Sequence, residues 1–213
     1  MGLIKESQQE QLKEKFKDLD EKIKLIVFTQ EMECQYCRET RGLMEDLADL
    51  ADKIDIEVYD FVNDKEKVEE YNIDKIPATV VEGEKDYGVR FYGIPAGYEF
   101  TSLVATIMNI SSSESELSEK TIEELKKIDK PLNIDIFVTL TCPYCPNAVE
   151  IAHKLAKEND FIKSNMIESS EFPELMQKNN ITSVPTVVVN NDMNFPGNLP
   201  EKEFVDNLIK AVT

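Results

Sequence analysis

Two landmarks that recur at one spacing constrain this chain more than any other feature of its sequence. The pair Cys34 and Cys37 is followed by Pro77, which lies 43 residues after the first cysteine. A second Cys-x-x-Cys pair begins at Cys142, and Pro185 again lies 43 residues after its first cysteine. Because self-similarity at a fixed offset indicates repeated structural units, we interpret the chain as a duplication with an offset of 108 residues.

The residues around these landmarks predict the same order of elements in both halves. Apolar residues at helical spacing predict helices, and short runs rich in β-branched residues predict strands. In the first half this gives a helix carrying Leu12, Phe16, Leu19 and Ile23, strands at 25–28, 54–59, 78–81 and 87–91, and helices at 34–51, 65–71 and 99–108. In the second half it gives a helix carrying Ile122, Leu125 and Ile128, strands at 134–138, 164–167 and 186–189, and helices at 142–157, 172–179 and 201–211. Strand–helix–strand crossovers of this kind favour an α/β fold in which a central mixed sheet is flanked by helices.

A polar segment at 111–115 separates the two halves, because it shows no apolar periodicity. It predicts an N-terminal unit at 1–113, which contains the sequence Cys-Gln-Tyr-Cys, and a C-terminal unit at 114–213, which contains Cys-Pro-Tyr-Cys. A length of 213 residues suits two small units better than one long domain.

Charge and hydropathy exclude several classes of function. The formal charge of −18 and the pI near 4.5 disfavour binding to nucleic acids and to acidic membranes. The longest apolar runs are far shorter than the roughly 20 residues of a membrane span. No apolar signal segment follows the first residues, so we expect a cytoplasmic protein that binds neither nucleic acid nor membrane.

The four cysteines leave redox chemistry and metal binding as the two main interpretations. In a reducing cytosol, such pairs are more often redox or metal sites than structural disulfides. Zinc ribbons separate their pairs by about 15–20 residues, whereas 104 residues lie between Cys37 and Cys142 here. We therefore expect no metal and two independent redox sites. A metal-binding thiol protein and a redox-inactive peptide-binding or chaperone module are the alternatives.

Thiol–disulfide exchange assigns different roles to the cysteines of each pair. The attacking species is a thiolate, which the unpaired N–H groups and the dipole of a helix N-terminus favour. Cys34 and Cys142 stand where their helices are predicted to begin, so we expect them to be the more exposed nucleophiles. Cys37 and Cys145 lie one turn further on and are expected to resolve the mixed disulfide.

The residues between the cysteines are expected to tune each site. Pro143 fixes its backbone angle and lacks an N–H group, whereas Gln35 keeps an N–H that can donate to a thiolate. Tyr36 and Tyr144 occupy equivalent positions and are expected either to shield the site or to contact substrate. The two sites should therefore differ in reduction potential.

The doubled pattern resembles a known family over nearly the whole chain. It is similar to the protein disulfide oxidoreductases of archaea and thermophilic bacteria, which are glutaredoxin-like proteins made of two thioredoxin-fold units. The matching stretches are the two Cys-x-x-Cys motifs, the Ile-Pro and Val-Pro pairs at 76–77 and 184–185, and the segments 86–100 and 137–146.

The resemblance implies a fold, a site and a partner. It implies tandem thioredoxin-like units, a cis peptide before Pro77 and before Pro185, and exchange of protein disulfides without a bound cofactor. Electrons would come from a thioredoxin-reductase-like flavoprotein, and the substrates would be disulfide-containing or dithiol proteins. Beside a cis-proline, the backbone groups of Ile76 and Val184 would be free to bind an extended substrate strand.

Two departures from related families concern protons and glutathione. Thioredoxins carry a buried Asp six residues before the first cysteine, where this chain has Phe28 and Ile136; Asp135 is one residue further upstream. A proton acceptor like that of thioredoxin is therefore not expected in the first unit. The Gly-Gly-x-Asp-type motif that glutaredoxins use for glutathione is also missing after either hairpin. The single histidine, His153, is expected to have a packing or surface role.

Overall fold

One eight-stranded mixed sheet runs through the computed structural model, which describes residues 3–212. The N-terminal unit contains α1 (Glu6–Phe16), β1 (Ile23–Thr29), α2 (Cys37–Ala48), β2 (Ile54–Asp60), α3 (Lys65–Glu70), β3 (Ala78–Glu82), β4 (Val89–Tyr92) and α4 (Glu99–Ser111). The C-terminal unit contains α5 (Glu119–Leu125), β5 (Leu132–Val138), α6 (Cys145–Glu158), β6 (Ile162–Glu168), α7 (Pro173–Lys178), β7 (Thr186–Val189), β8 (Met193–Pro196) and α8 (Glu201–Val212). The predicted α/β class and the repeated element order are confirmed, while the unit boundary between residues 113 and 114 stays a prediction.

The two units are joined through their sheets. The strand order is β2-β1-β3-β4-β6-β5-β7-β8, and β4 pairs with β6 in parallel from Val89 opposite Ser164 to Tyr92 opposite Ile167. Each unit therefore donates one strand to a shared junction, where the backbone groups of both strands are hydrogen-bonded.

Helices cover the two faces of the sheet unequally. The larger core packs one face against α1, α2, α4, α5, α6 and α8, and it includes Cys142 and Cys145. The smaller core lies on the opposite face under α3 and α7 and includes Phe28, Phe137 and Ile167. Burying each such side chain contributes on the order of 1.5–3 kcal/mol. Because α2 and α6 share a face, the two Cys-x-x-Cys motifs approach the sheet from the same side.

Four predicted helix limits are wrong, and one of them is that α5 ends at Leu125, which leaves the buried Ile128 outside the helix. The first helix ends at Phe16, so Leu19 is buried in the following turn and Ile23 begins β1. The cysteine helices begin at Cys37 and Cys145 rather than at the first cysteine of each pair. In the first unit, the backbone at Tyr36 is non-helical, and the N–H of Thr40 donating to the Tyr36 carbonyl at 2.8 Å closes the first helical turn.

His153 packs between the units rather than at a cysteine pair. Its ring is buried, contacts the ring of Phe91 edge-to-face at a centroid distance of 4.8 Å, and its Nδ1 lies 3.0 Å from the Thr106 hydroxyl. Burial lowers the pKa of His153 to about 3, so the ring is neutral. This confirms the predicted packing role.

Candidate active sites at the ends of β1 and β5

Both cysteine pairs follow the carboxyl ends of strands that run in the same direction. β1 is antiparallel to β3 and β3 to β4, whereas β4, β6 and β5 are parallel neighbours, so β1 and β5 point the same way. Their loops therefore leave the sheet at one edge. Four strand spacings separate β1 from β5, which corresponds to roughly 19 Å at about 4.8 Å per spacing. One disulfide cannot reach the other without a carrier or a second molecule.

The first site is open to solvent. Cys34 and Cys37 form a disulfide with a Cα–Cα distance of 5.5 Å; Cys34 is half-buried and Cys37 is buried. A pocket of about 460 Å³ opens beside the disulfide, between the end of β1, the first turns of α2 and the end of β2. Gln35 is exposed, and its side-chain amide donates to the Tyr36 hydroxyl at 3.3 Å.

The second site is more enclosed. Cys142 and Cys145 form the other disulfide, with a Cα–Cα distance of 5.5 Å. Cys142 is 8% exposed and Cys145 is 0% exposed, so only a small part of Cys142 is accessible to solvent. Pro143 is exposed beside it, and the exposed Tyr144 stands at the rim. In both pairs the first cysteine is the more accessible one, as the sequence predicts.

Each cysteine helix begins one turn later than predicted, which changes where the first cysteine of each pair stands relative to the helix. Cys34 and Cys142 lie three residues before the first helical residue, in the loop that enters α2 or α6. Each is tied by its disulfide to Cys37 or Cys145, the first residue of that helix. The sulfur of the first cysteine therefore stays close to the positive end of the helix dipole although the backbone of that cysteine is not helical.

A cis-proline lies beside each cysteine loop. The Ile76–Pro77 and Val184–Pro185 peptide bonds are both cis, as the resemblance implies. Each proline directly precedes a strand that pairs with the end of the cysteine-bearing strand: Ala78 is opposite Phe28, and Thr186 is opposite Phe137. The strand pairing thus brings each cis-proline to the edge of the sheet from which its cysteine loop emerges.

The Ile76 and Val184 side chains are half-buried, and the proline carbonyls are engaged within the fold. The N–H of Gly93 donates to the Pro77 carbonyl at 2.9 Å, and the N–H of Gly197 donates to the Pro185 carbonyl at 2.8 Å. The backbone groups of Ile76 and Val184 take no part in these two hydrogen bonds.

The first unit contributes a loop to the second site. The N–H of Tyr98 donates to the carbonyl of Leu140 at 3.0 Å, and Leu140 lies two residues before Cys142. Gly97 has a φ of +59°, and a Cβ at this position would lie 2.3 Å from the Leu140 carbonyl oxygen. Because only glycine tolerates this approach, the loop fits closely against the segment that holds the second disulfide.

Glu99 is a buried titratable residue that sequence reasoning missed. It begins α4, is 0% exposed, and its Oε2 accepts a hydrogen bond from Ser102 at 2.6 Å, while Oε1 has no hydrogen-bond partner within residues 3–212. Burial, with a smaller contribution from the nearby charge of Glu150, outweighs the lowering effect of the Ser102 hydrogen bond and raises the pKa of Glu99 to about 7. In the sequence, an acidic residue at a helix start is ordinary, so nothing marked this one as buried.

Asp135 does not lie beside a disulfide. It projects toward the face under α3 and α7, where its Oδ1 accepts hydrogen bonds from the Asn133 and Asn165 amides at 2.8 Å. Burial raises the pKa of Asp135. Ile136, its neighbour, belongs to the larger core on the cysteine side. The residue that resembled a thioredoxin acid is thus one strand position out of phase and on the other face.

The four sulfurs do not meet at one point, because each belongs to one of two separate disulfides. Among residues 3–212, no group of three or more His, Cys, Asp or Glu side chains is placed to hold a metal ion. The same part of the chain contains no helix with the length and apolar character needed to cross a membrane.

Comparison with known proteins identifies the fold. The family model described as thioredoxin domain matches residues 22–105 and 132–210. A protein disulfide oxidoreductase from Aeropyrum pernix superposes with a TM-score of 0.91 at 30% identity, over 97% of this chain and 93% of that one. The N-terminal domain of the alkyl hydroperoxide reductase AhpF from Enterococcus faecalis gives a TM-score of 0.89 at 29% identity, over 96% and 99% of the two chains.

Curated relatives are longer than this chain. The AhpF component of alkyl hydroperoxide reductase from Pseudomonas aeruginosa is 29% identical over 79% of this chain and 30% of its own length. A protein named NADH dehydrogenase from Bacillus subtilis is 28% identical over 79% of this chain and 31% of its own length. The chain spans about a third of the length of these relatives. It belongs to the thioredoxin domain family and is a tandem thioredoxin-fold oxidoreductase with two Cys-x-x-Cys disulfides suited to thiol–disulfide exchange.

Proposed function

We propose that this chain is a protein dithiol–disulfide oxidoreductase that reduces, oxidises or isomerises disulfides of other proteins at two sites. One observation carries the proposal: each disulfide lies at the end of a parallel strand beside a cis-proline, with its first cysteine the more exposed. A purely structural disulfide needs neither a more accessible first cysteine nor a cis-proline beside it. The proposed role is maintenance of the thiol–disulfide balance in the cytoplasm.

The reaction at the first site proceeds by two displacements at sulfur. The Cys34 thiolate attacks one sulfur of a substrate disulfide, forms a mixed disulfide, and releases the other substrate sulfur as a thiolate that takes up a proton. Cys37 then loses its proton to solvent and attacks the Cys34 sulfur, so that the Cys34–Cys37 bond forms and the second substrate sulfur leaves. Two electrons pass to the substrate. Cys142 and Cys145 carry out the same steps at the second site.

The substrate is proposed to bind as an extended strand beside each cis-proline. Main-chain hydrogen bonds from Ile76 or Val184 would hold it, which requires little of the substrate side chains and suits many proteins. Bound in this way, the substrate would bring one of its sulfurs near the more accessible cysteine of the pair.

The intervening dipeptides are proposed to tune the two sites differently. Gln35 and Tyr36 offer an N–H and a hydroxyl near Cys34, whereas Pro143 removes an N–H and Tyr144 exposes an aromatic ring. The electron source is proposed to be a flavoprotein reductase of the thioredoxin-reductase type. The names of the longer relatives, an NADH dehydrogenase and a component of a hydroperoxide reductase, support a reductase as the source.

Dithiothreitol-driven reduction of insulin tests the proposal. The wild type should accelerate insulin precipitation, Cys34→Ser and Cys142→Ser should each retain the activity of the other site, and the double variant should lose it. Wild-type turnover no faster than that of the double variant would contradict the proposal and favour a redox-inactive binding module.

A trapping experiment tests the separate roles within each pair. Cys37→Ser and Cys145→Ser keep the nucleophile but lack the resolving thiol, so each should accumulate a mixed disulfide with a disulfide-containing peptide. Cys34→Ser and Cys142→Ser are the matched controls and should trap little. Equal trapping by both kinds of variant would overturn the assignment of nucleophile and resolving cysteine.

A further inference from the structure

The two sites differ most in the helical turn that follows each disulfide. Arg38 and Arg41 follow the first disulfide on α2 and are both exposed. At the equivalent positions of the second unit, 108 residues later, stand Pro146 and Val149, and both are buried. The repeat therefore supplies its own comparison: one site has two guanidinium groups beside its disulfide, and the other has none at these positions.

The two arginines face the same pocket as the first disulfide. Arg38, Arg41, Cys34 and Cys37 all line the pocket of about 460 Å³. Residues three apart on a helix share one face, with Cβ atoms roughly 5–6 Å apart. The guanidinium groups are thus placed on one wall of the space that a substrate must enter to reach Cys34.

One of these cations has no partner, and the other is only partly engaged. Arg38 forms no hydrogen bond or ion pair within residues 3–212. Arg41 donates to Glu45 through its Nε at 2.7 Å, and its two terminal nitrogens donate no hydrogen bond within residues 3–212. A planar guanidinium with free N–H groups binds carboxylates in a bidentate manner.

Three carboxylates also line this pocket, but two of them are held by the fold. Asp60 accepts hydrogen bonds through one oxygen from the backbone of Val62 at 3.0 Å and of Asn63 at 2.8 Å, and from the Asn63 amide. Asp64 accepts the N–H of Asp60 at 2.6 Å. These two groups organise the turn after β2. Glu31, the third, is exposed at the rim.

The charge of the whole chain sets these two arginines apart from their surroundings. At a formal charge of −18, the surface repels an acidic segment on average. Cations at the entrance of a site change the association rate of charged substrates even when each contact is weak. Resting on the proposed exchange function, we propose that Arg38 and Arg41 form a carboxylate-binding subsite that selects protein disulfides flanked by acidic residues for the first site.

Single-site proteins test this subsite. The variant with Cys142→Ser and Cys145→Ser keeps only the first disulfide, and the variant with Cys34→Ser and Cys37→Ser keeps only the second. Each is assayed with two disulfide peptides that are identical except for flanking Glu or flanking Lys residues. The ratio of kcat/KM for the Glu peptide to that for the Lys peptide should be higher at the first site than at the second.

Removing the guanidinium groups should abolish that difference. In the first-site protein, Arg38→Gln with Arg41→Gln should lower kcat/KM for the Glu peptide about fivefold, without a similar loss for the Lys peptide. The effect should shrink at high salt, because exposed charges are screened. Lys13→Gln with Lys17→Gln changes the net charge equally at the far end of α2 from the disulfide and should leave the ratio unchanged.

The outcomes separate this subsite from the exchange function itself. Equal losses for both peptides, or an equal loss in the lysine control, would overturn the subsite while leaving exchange intact. An effect of the arginines on glutathione disulfide alone, with none on the Glu peptide, would also overturn it, because the subsite would then serve a small acidic disulfide. Absence of exchange by either single-site protein would instead contradict the proposed function. A thermal unfolding midpoint close to that of the parent shows that the arginine variant is folded.

Discussion

The buried carboxyl group of Glu99 should make the stability of this protein fall as the pH rises from about 4.5 to about 7. Its pKa is raised from 4.5 to about 7 in the folded chain, chiefly by burial. A shift of about 2.5 units corresponds to roughly 3 kcal/mol at 1.36 kcal/mol per unit. Relative to the unfolded chain, the folded environment disfavours the ionised carboxyl over the protonated one by this amount of free energy.

The direction of the effect follows from which state holds the proton. Below pH 4.5 both folded and unfolded chains carry a protonated Glu99, and its contribution is fully present. Between pH 4.5 and 7 the unfolded chain loses the proton while the folded chain keeps it, so the free energy of unfolding decreases as the pH rises. Above pH 7 the loss is complete.

Urea unfolding of the wild type and of Glu99→Gln at several pH values measures this contribution. Gln is neutral at every pH and can still accept the Ser102 hydrogen bond, so the variant lacks only the titration. Between pH 5 and pH 8 the wild type should lose about 2.5 kcal/mol of unfolding free energy relative to the variant. Other titrating groups cancel in this difference. A difference between the two proteins that stays constant with pH would refute the burial of a protonated carboxyl at this position.

Three further perturbations have defined expectations. Gly97→Ala places a Cβ 2.3 Å from the Leu140 carbonyl oxygen at a positive φ. In the protein that keeps only the second site, insulin reduction should therefore fall severalfold, whereas in the protein that keeps only the first site it should persist. Equal losses in the two proteins would contradict a local effect on the second site. The pKa of His153 is lowered from 6.5 to about 3 by burial, so His153→Gln should remove about 2 kcal/mol of the destabilisation that develops between pH 6.5 and 4.5, as measured by urea unfolding. Arg90→Met breaks a nearly buried ion pair with Asp86, with Nη2 2.6 Å from Oδ2, and should cost about 3 kcal/mol in the same assay; a neutral result would show that packing outweighs the pair.

The cysteine and proline landmarks could be predicted because their chemistry depends on local sequence. The spacing from Cys34 to Pro77 repeats from Cys142 to Pro185, and both prolines are cis in the structure. The first residues of the cysteine helices were harder to predict. A Cys-x-x-Cys motif indicates that a helix is near, but the non-helical backbone at Tyr36 depends on how the loop from β1 meets the sheet.

The junction and the buried acid could not be predicted, because both depend on contacts between the units. The parallel pairing of β4 with β6 joins strands from different halves of the chain, so no local pattern in either strand indicates its partner. Glu99 is buried only because α4 lies against α6 of the other unit. Its sequence position, at the first residue of a helix, is where exposed acidic residues are common.

The shared sheet also limits how this protein can be divided. Cutting the chain between α4 and α5 would expose β4 on one fragment and β6 on the other, each with a row of unpaired N–H and C=O groups beside a buried apolar surface. An exposed strand of this kind can pair with a strand of another molecule. Each fragment should therefore aggregate when produced alone. Mixing the two fragments should restore a complex in which β4 pairs again with β6.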